Sequence, residues 1–291
     1  QVFITHGYAA SIALILHALA KPGNGMWIED PGFPLIRPIV TRHDVEILPV
    51  PVDDNGLDIT SGIQNYPDAR FALITPAHQS PLGVALSLAR RHQILEWADR
   101  SQAWIIEDDY DSEFRYHGKP LPALKSLDAP QRVIYAGTFS KALFPALRCA
   151  WLVVPVKQIA QFRHQASLAP CAVPVLWQNT LADFLREGHF WRHLKKMRQH
   201  YAQRRQWIEQ ALTQQGFQVV PQKGGIQMVI RMIGDDIAHA RKANAAGLAV
   251  QALSDWRIRS SGEGGLLLSF TNIVNEGMAR QVAQQLRKAL S

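Results

Sequence analysis

The stretch Tyr135-Ala136-Gly137-Thr138-Phe139-Ser140-Lys141 decides how this chain is read. An apolar strand runs into small and hydroxyl residues and delivers an amine at its tip. Arg148 closes the segment that follows, Ala142-Leu143-Phe144-Pro145-Ala146-Leu147-Arg148. Taken alone, a Ser-Lys pair after a strand is compatible with an ordinary surface lysine. Upstream, though, the β-branched run Trp104-Ile105-Ile106 ends in Glu107-Asp108-Asp109-Tyr110, which sets Asp108 33 positions before Lys141. An amine, a buried carboxylate, a phenol and a guanidinium therefore sit at the ends of successive strands, where α/β proteins place their ligands.

That set of groups is what pyridoxal phosphate needs: its aldehyde condenses with a lysine, its ring nitrogen takes an acidic partner, and its phosphate takes donors. Asp108 is the candidate for the ring nitrogen, because an opposite charge favours the cationic ring that acts as electron sink. Glu107 and Asp109 alternate faces with Asp108 along the strand, so only one side can point to the cofactor. Tyr110 falls on the Asp108 face and can reach the phenolic oxygen, while Asp111 and Glu113 read as loop charges. For the phosphate, Gly7-Tyr8-Ala9-Ala10-Ser11 turns from the first strand into an apolar helix and exposes free N–H groups at its positive end. Thr138 and Ser140 add hydroxyls, and Arg148 a guanidinium. In Asp30-Pro31-Gly32-Phe33-Pro34, Phe33 either stacks on the pyridine ring or faces the core. The loop Thr75-Pro76-Ala77-His78-Gln79-Ser80-Pro81-Leu82-Gly83, stiffened by prolines and a glycine, can hold polar groups against a ligand. Its His78 has no second His, Cys or acid at ligand spacing, so no metal site is expected.

With 291 residues the chain can bury one large and one small core. No apolar run reaches the roughly 20 residues of a membrane helix, and no signal peptide is visible. Cys149 and Cys171 read as small hydrophobes in a reducing, cytoplasmic setting. A chain that opens in a strand without an initiator Met is expected to be a fragment, with whatever precedes Gln1 missing. The net charge of +7 is concentrated on Arg192, Lys195, Lys196, Arg198 and Arg204 of one long helix, mostly a solvated face. Nothing there looks like a nucleic-acid recognition element.

Strands are predicted at Val2–Thr5, Met26–Glu29, Val45–Val50, Phe71–Thr75, Trp104–Glu107, Arg132–Thr138 and Ala150–Val154, alternating with helical patterns at Ala10–Leu19, Leu86–Arg100 and the Pro-rich Pro120–Leu127. From Val173 the texture turns helical, through Val173–Arg186 and a long run from about Gly188 to Gln214. Short strands follow at Phe217–Val220, Gln227–Arg231 and Leu266–Thr271, with helices at Ile237–Ala246 and Glu276–Leu290. The expected division is a large domain over residues 1–187 and a smaller α+β domain over residues 188–291.

With these residues assembled, the sequence resembles the fold-type-I aminotransferase superfamily, and within it the effector domain of MocR/GabR-type regulators of the GntR family. The runs IIEDDYDSEFRY (Ile105–Tyr116), GTFSKALFPALR (Gly137–Arg148), TPAHQSPLG (Thr75–Gly83), EDPGFP (Glu29–Pro34) and EGHFWRHLKKMR (Glu187–Arg198) carry the resemblance over nearly the whole chain. It implies the aspartate aminotransferase-like α/β fold, with a mainly parallel seven-stranded sheet. Lys141 would be the cofactor lysine, Asp108 the ring-nitrogen partner and Tyr110 the phenolic-oxygen partner. Arg148, Ser140 and the Gly7–Ala9 turn would take the phosphate. It further implies a homodimer, a small-molecule effector such as an amino acid or a vitamin B6 vitamer, and DNA contact only through a winged-helix domain ahead of this chain. Two departures stand out. Ser80 occupies the place of the usual asparagine before the proline, and Leu267 the place of the arginine that grips a substrate carboxylate. Losing that charge-assisted pair removes about 2–3 kcal/mol, so efficient amino-acid turnover is not expected and cofactor binding is. A free-standing aminotransferase, with Lys141 as proton carrier, is the alternative.

Overall fold

The computed structural model describes residues 1–168, 173–259 and 262–291. Cys171 lies outside them. The large sheet contains β1 (Val2–Thr5), β2 (Gly25–Asp30), β3 (Glu46–Asp53), β4 (Gly56–Leu57), β5 (Phe71–Ile74), β6 (Trp104–Asp109), β7 (Val133–Thr138) and β8 (Ala150–Val153), in the order β1-β8-β7-β6-β5-β2-β3-β4. The seven expected strands are joined by β4, a two-residue antiparallel return on β3. Strands β3, β2, β5, β6 and β7 are parallel to one another, and β8 runs against both β7 and β1. Two reversals bring β1 back into the common direction. The C-terminal ends of β1, β2, β5, β6 and β7 therefore share one edge, together with the segment that enters β8.

Period-two alternation sorts the side chains between two buried faces, as it must in a sheet covered on both sides. Met26, Ile28, Phe71, Leu73, Ile106 and Ile134 pack under α1 (Tyr8–Leu19), α2 (Arg37–Thr41) and α5 (Ile159–Leu168). Trp27, Ala72, Ile74, Ile105 and Val133 pack under α3 (Ile59–Asn65) and α4 (Leu88–Arg100). Trp27 stacks on Trp97 of α4 with ring centroids 3.9 Å apart. The Ser87 hydroxyl accepts from the Arg90 amide and so starts α4 just past the expected Leu86. The Pro-rich stretch 120–127 is no helix: only a 3-10 turn forms at Leu124–Leu127, because Glu107 takes up the Leu124 and Lys125 amides.

After α6 (Val175–Arg186) and α7 (His189–Gln214), the chain builds an antiparallel sheet from β9 (Gln218–Val219), β10 (Gln227–Met232), β11 (Val250–Ala252) and β12 (Gly264–Ser269), ordered β11-β12-β10-β9. One face is covered by α7, α8 (Asp236–Ala245) and α9 (Glu276–Leu290), with Leu266, Leu268, Ile208, Leu212 and Ala283 between them. The other face presents Val229 and Leu267, which pack with Leu253 and Trp256 against Phe33 and Leu82 of the large-sheet loops. The basic run of α7 does more than face solvent. Arg198 Nε donates to the Glu113 carbonyl at 2.6 Å, Arg204 donates to the Thr271 carbonyl, and buried Arg205 donates to the carbonyls of Gln222 and Gly224. Among the described residues, no helix is long and apolar enough to cross a membrane.

Candidate functional site

Three consecutive acids end β6, and their surroundings separate them. Glu107 points to the α4 face, where both carboxylate oxygens accept backbone amides at 2.7 and 2.8 Å. Asp109 accepts from the Ser112 amide and hydroxyl and from the Tyr135 hydroxyl, the last at 2.7 Å. Asp108 lies on the α1 face, buried, and its Oδ1 has no hydrogen-bond partner. Burial above all pushes the Asp108 carboxyl well above the usual carboxylate range; the nearby Tyr8 hydroxyl draws it back, and Asp109, Glu29 and Asp111 push it further. The Tyr8 hydroxyl beside it is also buried and without a partner of normal geometry; burial and the Asp108 charge push it up too. A buried carboxylate oxygen left without a donor is costly. It marks a place for a cationic donor.

Strand β7 ends two residues before Ser140-Lys141. The Ser140 amide donates to the Thr138 hydroxyl at 3.2 Å, and the Thr138 hydroxyl lies 3.0 Å from that of Ser140, so the two hydroxyls form a pair beside the exposed Lys141. Arg148 adopts a left-handed conformation (φ 48°) that turns it back across the sheet edge. Its guanidinium lies against Gly7: a Cβ added there would stand 3.1 Å from Arg148 Cζ. Gly7 itself has φ 89° and ψ 168° and precedes α1 with no side-chain cap on the helix. The first-turn amides of Tyr8 and Ala9, the guanidinium and the hydroxyl pair thus gather where β1 and β7 end and β8 begins, an arrangement suited to a phosphate.

On the β5 side the loop after Thr75 is tightly bound. Glu29, the last-but-one residue of β2, accepts from the Thr75 amide at 3.1 Å, from the Thr75 hydroxyl at 2.5 Å and from Gln79 Nε2 at 3.2 Å. Burial nevertheless pushes its carboxyl up to about 7. Ser80 is buried, and its amide donates to the Thr75 hydroxyl at 3.2 Å. Tyr110, just past β6, has its hydroxyl 3.1 Å from His78 Nδ1, which is itself 3.2 Å from Asp111 Oδ1.

Two sequence expectations change here. Asp111 lies in the loop after β6 as expected, but it is buried and paired with His78 and is no solvent-facing charge. Glu113 is largely enclosed, and burial lifts its carboxyl to about 7. Of the two placements expected for Phe33, the structure shows the apolar one: it packs against Trp256, ring centroids 5.9 Å apart, in the seam with Leu82 and Leu267. Glu29, His78 and Gln79 were not read as site residues. Glu29 had a visible signal, a carboxylate closing the apolar Met26-Trp27-Ile28, the same signal that singles out Asp108. Leu267 is buried in the apolar seam, so no cation stands there. Arg37, the nearest alternative cation in sequence, donates to the carbonyls of Trp256 at 2.5 Å and Arg257 at 3.1 Å. Among the described residues, no cluster of three or more His, Cys, Asp or Glu could hold a metal ion.

Residues 1–262 match the family of class I and II aminotransferases. The chain belongs to that family. Its architecture is the fold-type-I aminotransferase fold: α-aminoadipate aminotransferase LysN from Thermus thermophilus superposes with a TM-score of 0.88 at 24% identity, over 100% of this chain and 77% of that one. Among characterised sequences, the chain is 33% identical to the probable rhizopine catabolism regulatory protein MocR of Rhizobium meliloti, over 99% of this chain and 59% of the relative. It is 31% identical to the pyridoxine biosynthesis regulator PdxR of Corynebacterium glutamicum, over 100% of this chain and 63% of the relative. The chain thus spans less than two thirds of these relatives. Aminotransferases of this fold typically bind pyridoxal phosphate. The residues at the sheet edge fit that group: a partnerless buried carboxylate for a ring nitrogen, a free amine, and a guanidinium beside an uncapped helix start.

Proposed function

We propose that the chain is the pyridoxal-phosphate-binding, effector-sensing part of a MocR-type transcriptional regulator, in which ligand chemistry at the cofactor changes conformation instead of sustaining turnover. The observation that carries the reading is the partnerless Asp108 Oδ1, buried on the same face as Tyr8 and on the same sheet edge as Lys141 and Arg148. When bound, pyridoxal phosphate supplies an aldehyde and a ring that withdraws electrons once its nitrogen is protonated. Asp108 would hold that proton in place, since its buried, partnerless Oδ1 favours a cation beside it. Lys141 would supply the amine for the aldehyde, and its exposed position leaves that amine accessible. Arg148, the Ser140 and Thr138 hydroxyls and the Gly7–Ala9 turn hold the phosphate. Tyr110 and Ser80 line the phenolic-oxygen side.

The buried Leu267 supports sensing over turnover. A substrate carboxylate finds no guanidinium there, and positioning is what catalysis of this kind depends on. The proposed effector is a small molecule with an amine or aldehyde, such as an amino acid or a B6 vitamer. We assign residues 1–187 to the cofactor domain and residues 188–291 to the smaller domain, propose a homodimer, and place DNA binding in the winged-helix region that such regulators carry. The test is reconstitution with pyridoxal phosphate, which should give a visible absorption band and, after borohydride, a cofactor-labelled peptide containing Lys141. A Lys141→Ala protein that takes up and retains cofactor like the parent would overturn the assignment.

A further inference from the structure

The buried His78–Asp111 pair has no part in the reading so far, and its proton bookkeeping is fixed by its neighbours. His78 Nδ1 lies 3.2 Å from Asp111 Oδ1 and 3.1 Å from the Tyr110 hydroxyl oxygen. A carboxylate only accepts. Were Nδ1 bare, two acceptors would face each other in a buried site, since Asp111 is 2% exposed. Nδ1 therefore carries the proton and donates to Asp111. The Tyr110 oxygen, on the same nitrogen, accepts its share of that proton. This leaves the Tyr110 O–H with nothing to give to His78, so its proton points away from the imidazole; Ser80 and Asp108 are the other polar groups near that hydroxyl. The ring cannot easily swing out of this role. Gly225, at φ 83°, lies so close that a Cβ there would meet His78 Cε1 at 2.2 Å, and Nε2 is enclosed without a partner.

We propose that His78, oriented by Asp111, is a positioning residue that obliges the Tyr110 hydroxyl to donate its hydrogen bond into the strand-edge site. What Tyr110 donates to, the phenolic oxygen of pyridoxal phosphate, rests on the reading above. The tautomer of His78 does not.

Two measurements test it, and the first needs no cofactor. Nitrogen-15 NMR of histidine-labelled, cofactor-free protein should show His78 protonated at Nδ1; a proton on Nε2 alone overturns the inference whatever the chain binds. The second uses reconstituted protein and follows the visible band against pH. A donor to the phenolic oxygen stabilises the form of the bound cofactor that has lost its proton, so losing the donor raises the midpoint. His78→Leu should raise it in the same direction as Tyr110→Phe, His78→Asn should restore it because its amide N–H replaces Nδ1–H, and the double variant should shift no further than Tyr110→Phe alone. A midpoint that stays at the parent value in His78→Leu while moving in Tyr110→Phe refutes the inference, as does a full additional shift in the double variant. Absence of any visible band in the parent protein would instead refute the cofactor reading.

Discussion

Gly7 is where the backbone, the helix start and Arg148 meet, and Gly7→Ala probes all three. Its φ of 89° and ψ of 168° fall in a region that only glycine occupies freely, at a cost of about 1–3 kcal/mol for any other residue. The added Cβ would stand 3.1 to 3.3 Å from Cζ, Nη2 and Nε of Arg148. A guanidinium at the end of a flexible side chain can give way by the few tenths of an ångström this requires, so the backbone term dominates. At about 2.1 cal/mol/K per residue, unfolding a chain of this length carries an entropy of about 0.6 kcal/mol/K, and the melting temperature should fall by about 2–5 °C. The displaced guanidinium should also weaken phosphate binding, on the order of tenfold if one charge-assisted bond is lost. Thermal unfolding of cofactor-free protein reads the first effect; titration with pyridoxal phosphate reads the second. In an Arg148→Ala background the melting loss should persist while the binding loss shrinks. An unchanged melting temperature in Gly7→Ala refutes the strain argument, and a melting loss that disappears with Arg148 would place the cost in the contact instead.

Asp108→Asn should leave the cofactor-free fold intact, since a neutral amide is cheaper to bury, yet weaken pyridoxal phosphate binding by about tenfold or more; equal affinity and an unchanged spectrum would point to another acid. Glu29 keeps its proton up to about pH 7 when folded against 4.5 ordinarily. Its contribution is therefore complete below about pH 4.5 and is lost as pH rises through 7, by up to about 3 kcal/mol. Urea titrations of Glu29→Gln should show that slope flattened, and an identical slope would remove Glu29 as its source. With common α-amino acids and a keto-acid acceptor, the reconstituted protein should turn over well below the roughly 1–10 per second of an ordinary enzyme. Sustained turnover in that range would favour the aminotransferase alternative.

The sheet was legible because its strands are short apolar runs punctuated by Gly, Pro and Asp. The edge bearing the candidate site was legible because chemically unusual residues close those runs. β4 was not, since two residues carry no periodicity, and neither was β11, whose Val250-Gln251-Ala252 is too short to separate from a loop. The Pro120–Leu127 reading failed because a tertiary contact, Glu107 capturing two amides, outweighed local propensity. Asp108 was singled out by its alternation with Glu107 and Asp109 and by Tyr110 on its own face, but the hydrogen bonds that occupy its two neighbours and leave its Oδ1 without a partner were not legible. Asp111 and His78 are 33 positions apart, and nothing in either local stretch announces the other.

The small antiparallel sheet is fastened to the large one along two lines. On the β2 side, Gly32 and Arg37 donate to the Trp256 carbonyl and Asp30 accepts the amides of Ile258 and Arg259. On the β6 side, the Tyr116 and His117 amides donate to the Lys223 carbonyl, and the Gly225 amide donates to the Phe114 carbonyl. Between them, Gln222 Nε2 donates to the Pro81 carbonyl at 3.1 Å, and Phe33, Leu82 and Leu267 close the apolar seam. The smaller sheet therefore bears on the loops that follow β2, β5 and β6, the same strand ends that carry Glu29, Ser80 and Asp108.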